Sequence, residues 1–293
     1  MKLIITADWH IRTDRPRCRV DSDWIGTQKK AVQFVFQQAK KRKAKVCLIG
    51  DIFDKANDHF SILKYLLDWI FSSEIDFYIL AGNHDCLYHS IEYMDRSLFG
   101  SLFSIAESEK TNILPMMKLG CAFHYGQIEE SLYSGQEIVF LHELIFSDNE
   151  KILPNSGYYL ASDLLITFPG AKWIFTGDNH HSFIYERNNR YVINPGCLLR
   201  QAADFKNYQP IIYFVDTEIG KIEKINVPDE SSLIIDEYLE QAKERDERIS
   251  AFVSSIRDKG EVSLSFRDNL LQRMDEIEEE GTKEIILECI EEI

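Results

Sequence analysis

The chain has 293 residues, 45% of them hydrophobic and 28% charged, with a formal net charge of −15. This composition excludes a collagenous, low-complexity or wholly disordered protein, and the length predicts one large domain with an appendage, or two domains. The acidity would disfavour a nucleic-acid partner if it were spread evenly, but residues 1–228 carry 25 Lys/Arg against 28 Asp/Glu while residues 229–293 carry 8 against 20.

The first apolar run, residues 3–6, reads as a strand and meets Asp8 too soon for the apolar stretch of a signal peptide, which predicts a cytoplasmic protein. Asp8-Trp9-His10 follows it, then a cluster of Arg12, Arg15, Arg17 and Arg19 that either grips a phosphate backbone or lies in solvent with no partner. Ala31, Phe34, Val35 and Ala39 share a helix face, and the basic run at residues 40–45 closes that helix, where the helix dipole favours cations. A second strand at residues 46–49 leads into Gly50-Asp51-Ile52-Phe53-Asp54, and Phe60, Leu63, Leu67, Ile70 and Phe71 predict the next helix face. A third strand at 77–80 leads into Gly82-Asn83-His84-Asp85.

Further strands are predicted at 138–141, ending in His142, and at 173–175, ending in Gly177-Asp178-Asn179-His180-His181. Two more lie at 191–193 and 211–215. Early alternation of strand and helix indicates an α/β domain. After Pro228 the pattern turns mainly helical, through Leu239, Ala242, Ile249, Phe252, Val253 and Ile256, then 270–277 and 285–293, with a short alternating strand at 262–266. No apolar run approaches the roughly 18 residues of a membrane helix, and the six cysteines form no C-x-x-C pair, so free thiols are expected.

Three polar clusters after three early strands converge at the carboxyl edge of a sheet, where open α/β sheets bind ligands. Carboxylate, imidazole and amide oxygen together suit a divalent ion such as Mn, Fe or Zn, and there are ligands for two. Any one cluster is ordinary turn chemistry, but a specified tetrapeptide such as Gly82–Asp85 arises by chance in on the order of one such chain in several hundred. His59, His89 and His124 match no motif and read as structural; Trp9, Phe53 and Tyr88 read as packing residues.

These residues resemble the calcineurin-like metallophosphoesterases, whose blocks read D-x-H, G-D-x-x-D, G-N-H-[DE], H and G-H-x-H. Thr6–Ile11, Gly50–Asp54, Ala81–Asp85 and Asn194-Pro195-Gly196-Cys197-Leu198 are most similar to the SbcD-type DNA-repair nucleases of the meiotic-recombination-eleven family, bacterial or phage branch. The resemblance covers roughly residues 1–215. It implies an α/β fold, a four-layer αββα sandwich with two mixed β-sheets, taken over residues 1–228; residues 229–293, acidic and mainly helical by their own pattern, are expected as a cap or partner-docking region. It also implies two divalent ions, Mn foremost with Mg, Fe or Zn as alternatives. One would be held by Asp8, His10, Asp51 and His180, the other by Asp51, Asn83, His142 and Asp178.

In the same resemblance His84 is the catalyst that serves the leaving oxygen, with Asp85 as the candidate orienter of its imidazole. Asp178 stands where the family usually has histidine, and His181 would replace His180 if the loop shifted register. Arg12, Arg15, Arg17 and Arg200 are the candidate substrate contacts. The activity implied is a 3′-to-5′ DNA exonuclease with single-strand endonuclease activity, a homodimer working with an SbcC-type coiled-coil ATPase and no membrane. The rival readings are an enzyme of the same fold acting on phosphoproteins or small phosphodiesters, and a non-catalytic scaffold subunit.

Overall fold

A computed structural model describes residues 1–107, 111–116, 122–125 (backbone only), 136–148, 158–229, 234–235, 277, 281–283 and 286. The chain forms two compact units, Met1–Asp236 and Glu237–Ile293. The helical stripes expected at 239–256, 270–277 and 285–293 and the strand at 262–266 lie outside the described residues or nearly so; of the second unit, 281–283 and Ile286 are helical.

In chain order the first unit runs β1 (Lys2–Thr6), α1 (Trp24–Arg42), β2 (Lys45–Ile49), α2 (Ser61–Phe71), β3 (Phe77–Leu80), α3 (Leu98–Glu107), β4 (Ile113–Pro115), β5 (Ala122–Tyr125) and β6 (Ile138–His142). It continues with β7 (Ile145–Phe146), β8 (Tyr159–Leu160), α4 (Ala161–Thr167), β9 (Trp173–Gly177), β10 (Phe183–Arg187), β11 (Arg190–Asn194), β12 (Ile211–Asp216) and β13 (Lys221–Asn226). One six-stranded sheet has the order β13-β12-β1-β2-β3-β4 and a five-stranded sheet the order β10-β11-β9-β6-β5, with β7 and β8 forming a separate pair. Both large sheets are mixed: β1 to β4 are parallel while β12 and β13 run against their neighbours, and β10 is antiparallel in the second.

Alternation along the strands separates three apolar layers. Leu3, Ile5, Cys47, Ile49 and Leu80 meet Phe140, Trp173, Phe175 and Ile193 between the two sheets. Ile4, Val46, Leu48 and Ile79 point the other way, against the buried faces of α1, α2 and α3. Val139, Leu141, Ile174 and Val192 pack on Leu164 and Leu165 of α4. The result is helix, sheet, sheet, helix, the four-layer arrangement expected.

Helix α1 starts where the Asp23 carboxylate accepts the Gly26 N–H at 2.8 Å, and it ends at Lys43, whose backbone is left-handed at φ 51°. Its buried stripe includes Ala31, Val35 and Ala39 as expected. Helix α2 corrects the predicted face. Ile62, Leu66, Trp69 and Ile70 are buried, whereas Phe60 and Phe71 are exposed. Its apolar residues span a wide arc opposite Ser61, Lys64 and Asp68, so the repeat alone admits two stripes one residue apart, and the one carrying Trp69 buries more surface.

Every parallel strand of the first sheet delivers its carboxyl end to one edge. There β1 releases Asp8 and His10, β2 releases Asp51, and β3 releases Asn83 and His84, while β6 ends on His142 and β9 leads into Asp178 and His180.

Candidate metal centre

The five strand ends bring together all seven side chains expected as ligands. The Nε2 of His142 lies 3.0 Å from Asn83 Oδ1, 3.5 Å from Asp51 Oδ1 and 4.0 Å from Asp178 Oδ1. On the other side, His10 Nε2 lies 3.1 Å from His180 Nε2 and 3.7 Å from Asp51 Oδ2. Asp51 thus faces both groups. Asp8 sits between them, within reach of His10 and His180 and also of Asp51 and His142. The backbone gives a further sign of a built site: Asp8, His10, Asp51 and Asp178 all have positive φ (49°, 44°, 51° and 75°). L-residues adopt that region at a cost that surrounding structure must offset, as happens at functional sites.

Close approach is made possible by glycine. A Cβ on Gly50, itself at φ 75°, would overlap the His142 ring, and one on Gly82 would overlap the Asp51 carboxylate. The hydrogen bonds fix orientation. His142 Nδ1 faces the Ile49 carbonyl at 2.9 Å, turning Nε2 inward, and Asp8 Oδ1 accepts the Asp178 N–H at 3.1 Å.

Charges in this donor set are mutually dependent. Burial disfavours the charged form of His142, but Asp51, Asp8 and Asp178 outweigh it and raise its pKa to about 10. Burial dominates at His10, with His180, His84 and His142 adding, and lowers it to about 3. Burial, then Asp51 and Asp178, push Asp8 well up. At Asp51 burial acts upward, yet His142 and His10 hold it below the usual carboxylate range. Buried Asp8 Oδ2, His10 Nδ1 and Asp51 Oδ2 have no hydrogen-bond partner. Buried polar atoms are rarely left so, and two imidazole nitrogens at 3.1 Å beside orphaned carboxylate oxygens form a donor set that fits divalent cations.

His84 stands at the edge of this set. Its backbone N–H donates to Asp51 Oδ1 at 2.9 Å, its ring lies 4.8 Å from that of His10, and its Nδ1 lies 2.8 Å from the Asp54 carbonyl oxygen. Asp85, expected to orient it, does not contact the imidazole. The buried Asp85 carboxylate accepts the N–H groups of Ile52, Phe53 and Gly82, tying the second motif loop to the third; burial and Asp51 raise its pKa to about 7 against those bonds. The orienting group is the Asp54 carbonyl. Asp54 belongs to the second motif, but a main-chain carbonyl gives no signal in sequence.

His180 is the ligand-side residue of its loop; His181 instead packs on Phe205 and Tyr208, so the register shift does not occur. His89, read as structural, has Nδ1 3.0 Å from the Asn83 carbonyl and lines a cavity of about 420 Å³ with Asn83, His142 and Asp178. A second cavity of about 190 Å³, on the opposite flank, is lined by His10, Arg12, Asp54, His84, His180 and Phe205 among others. Gln201, which no motif signalled, donates its amide to the carbonyls of Trp9 and His10. Tyr88 is 82% exposed and not a packing residue; Trp9 is buried and stacked on Phe77.

The arginines divide. Arg12 lines the cavity and pairs with Asp14 and Asp54, while Arg15 and Arg17 are exposed. Arg19 and Arg200 correct the expectation of a phosphate contact. Both are buried: Arg19 pairs with Asp21 and Asp229, and Arg200 pairs with Asp229 and donates to the Lys206 and Asp229 carbonyls. Their guanidinium groups face inward because the network closes on itself.

Residues 1–215 match the sequence profile of the calcineurin-like phosphoesterases. The chain belongs to this family. A search of curated proteins found no match. Among solved structures, TT1561 of Thermus thermophilus is 13% identical with a TM-score of 0.46, covering 78% of this chain and 99% of its own. An archaeal phosphodiesterase is 14% identical with a TM-score of 0.38, covering 77% and 99%. The protein PH1004 from Pyrococcus horikoshii OT3 is 13% identical with a TM-score of 0.43, covering 84% and 93%. The family assignment makes the chain a hydrolase of phosphoesters with a two-metal centre, for which the converged ligands are the candidates. Among the described residues no helix is long and apolar enough to cross a membrane.

Proposed function

We propose that the protein is a DNA phosphodiesterase, a Mn-dependent 3′-to-5′ exonuclease with single-strand endonuclease activity. In this reading it acts in break or end processing as a cytoplasmic homodimer with an SbcC-type ATPase. The observation that carries the phosphodiesterase part is the meeting of seven ligand-type side chains with an oriented His84 at the mouth of a cavity. Asp8, His10, Asp51 and His180 would hold one ion and Asp51, Asn83, His142 and Asp178 the other. Bound there, the pair supplies an activated water and neutralises phosphate charge.

The chain's own groups account for the rest. With Nδ1 donating to the Asp54 carbonyl, His84 presents Nε2 for proton exchange with the leaving sugar oxygen. Arg12 lies on the same cavity wall, paired with Asp14 and Asp54, and exposed Arg15 and Arg17 lie further along that loop. The DNA assignment is supported by likeness of the motif segments at 6–11, 50–54, 81–85 and 194–198 to SbcD-type nucleases.

The test is cleavage of end-labelled duplex and single-stranded DNA with Mn, Mg or chelator, with His84→Ala as the blank. Mn-dependent shortening from 3′ ends, reduced about 10²–10⁴-fold in His84→Ala with metal content intact, is expected. Hydrolysis of a small chromogenic phosphodiester far faster than DNA would replace the DNA reading. Loss of metal in His84→Ala would overturn its role.

A further inference from the structure

Away from the metal centre, the outer face of α1 is strongly positive. Between Asp23 and Asp51 the chain has seven Lys/Arg and no Asp/Glu, within a protein of net charge −15. At 100° per residue, Lys29, Lys30, Gln33, Gln37, Lys40 and Lys41 fall within about 120° of one another, opposite the buried stripe of Ala31, Val35 and Ala39. The four lysines are exposed. Among the described residues the stretch makes one ion pair, Arg42 with Glu223.

The helix dipole accounts for cations only in the last turn, where Lys40, Lys41 and Arg42 stand. Lys29 and Lys30 lie in the N-terminal half, beyond that attraction, and no acidic residue stands three or four positions away to stabilise them. Beside them, a cavity of about 240 Å³ between α1 and α2 is lined by Gln33, Gln37, Lys40, Trp69, Ser72 and Ser73. The Gln33 and Gln37 amides and the Lys40 ammonium, with no carboxylate in the lining, suit phosphate oxygens, while the Ser72 and Ser73 hydroxyls are taken by the Trp69 and Ile70 carbonyls. The helix itself is tied to the site through its buried side, where the Gln28 amide bonds both the N–H and the carbonyl of Arg12.

We propose that this face is a second nucleic-acid contact, holding the phosphate backbone of the polynucleotide substrate without reading its sequence. The inference rests on the DNA reading above and extends it beyond the cleft. The Lys29/Lys30 and Lys40/Lys41 pairs lie about 16 Å apart along the axis at 1.5 Å per residue, which spans roughly five nucleotides at 3.4 Å per nucleotide of strand.

The test compares the full chain with a variant carrying Lys29→Ala, Lys30→Ala, Lys40→Ala and Lys41→Ala, and with the four-fold Lys→Arg variant. Affinity for labelled DNA is measured across a salt series, and hydrolysis of bis(4-nitrophenyl) phosphate is followed in the same preparations. Each phosphate contact contributes about 0.9 to the slope of log affinity against log salt on duplex. The alanine variant should therefore lose roughly 3 to 4 from that slope, the arginine variant should keep it, and both should hydrolyse the nitrophenyl ester as the parent does. An unchanged slope in the alanine variant, with the parent binding DNA, overturns this interface alone. A parent that hydrolyses the nitrophenyl ester but binds no DNA overturns the DNA reading, and this inference with it.

Discussion

Replacing Asp229 with alanine tests the buried network that anchors the loop after His10. The Asp229 carboxylate is 1% exposed and accepts from Arg19 Nη1 at 3.0 Å and Arg200 Nε at 3.0 Å, with those side chains 0% and 5% exposed. Removing one partner from a buried ion pair costs about 3–5 kcal/mol, because the remaining charge stays desolvated. Arg19 would keep Asp21, and Arg200 would keep two main-chain carbonyls, which places the loss near ~3 kcal/mol. At about 2–4 °C per kcal/mol for a unit of this size, the melting temperature should fall by roughly 6–12 °C. Circular dichroism during heating, with guanidinium unfolding as a second measure, reads the effect. Asp229→Asn, which retains an acceptor, should lose less. Gln201 adjoins Arg200 and holds the Trp9 and His10 carbonyls, so Mn affinity should weaken alongside stability. A loss under about 1 kcal/mol in the alanine variant would mean the arginines are solvated rather than held, and the reasoning would fail.

Gly82→Ala should weaken binding of both ions, because the added Cβ would displace the shared Asp51 carboxylate; Mn titration unchanged from the parent would contradict that. Asp178→His should retain metal and activity with an altered metal preference, and complete loss of metal binding would show that the aspartate is not a simple ligand replacement. Metal uptake should release at least one proton. In the metal-free protein His142 is held protonated up to about 10, whereas a ligand imidazole must be neutral, so affinity should rise with pH by up to about tenfold per unit below that value. Calorimetry in buffers of different ionisation enthalpy reads the released proton, and an enthalpy independent of buffer would refute the linkage.

The central strands were legible because they are buried on both faces and read as continuous apolar runs, each followed by its motif. Edge strands β10 and β13 were not: Phe183–Arg187 and Lys221–Asn226 are largely exposed, and their alternation with charge resembles a loop. The ligands were legible because each sits directly after a strand, so topology alone carries them to one edge. Direction was not legible. Arg19 and Arg200 look like Arg15 and Arg17 in sequence, yet both are turned inward onto Asp229 from a distant segment, Arg19 also onto Asp21 two residues on. The hold on His84 was hidden for a different reason, since a main-chain carbonyl, that of Asp54, carries no residue identity.

The most direct test of the two-ion centre is a Mn-soaked crystal measured at the manganese absorption edge. Two anomalous peaks are expected with Asp51 between them, one against Asp8, His10 and His180 and the other against Asn83, His142 and Asp178. A single peak, or peaks away from these residues, would contradict the two-ion centre.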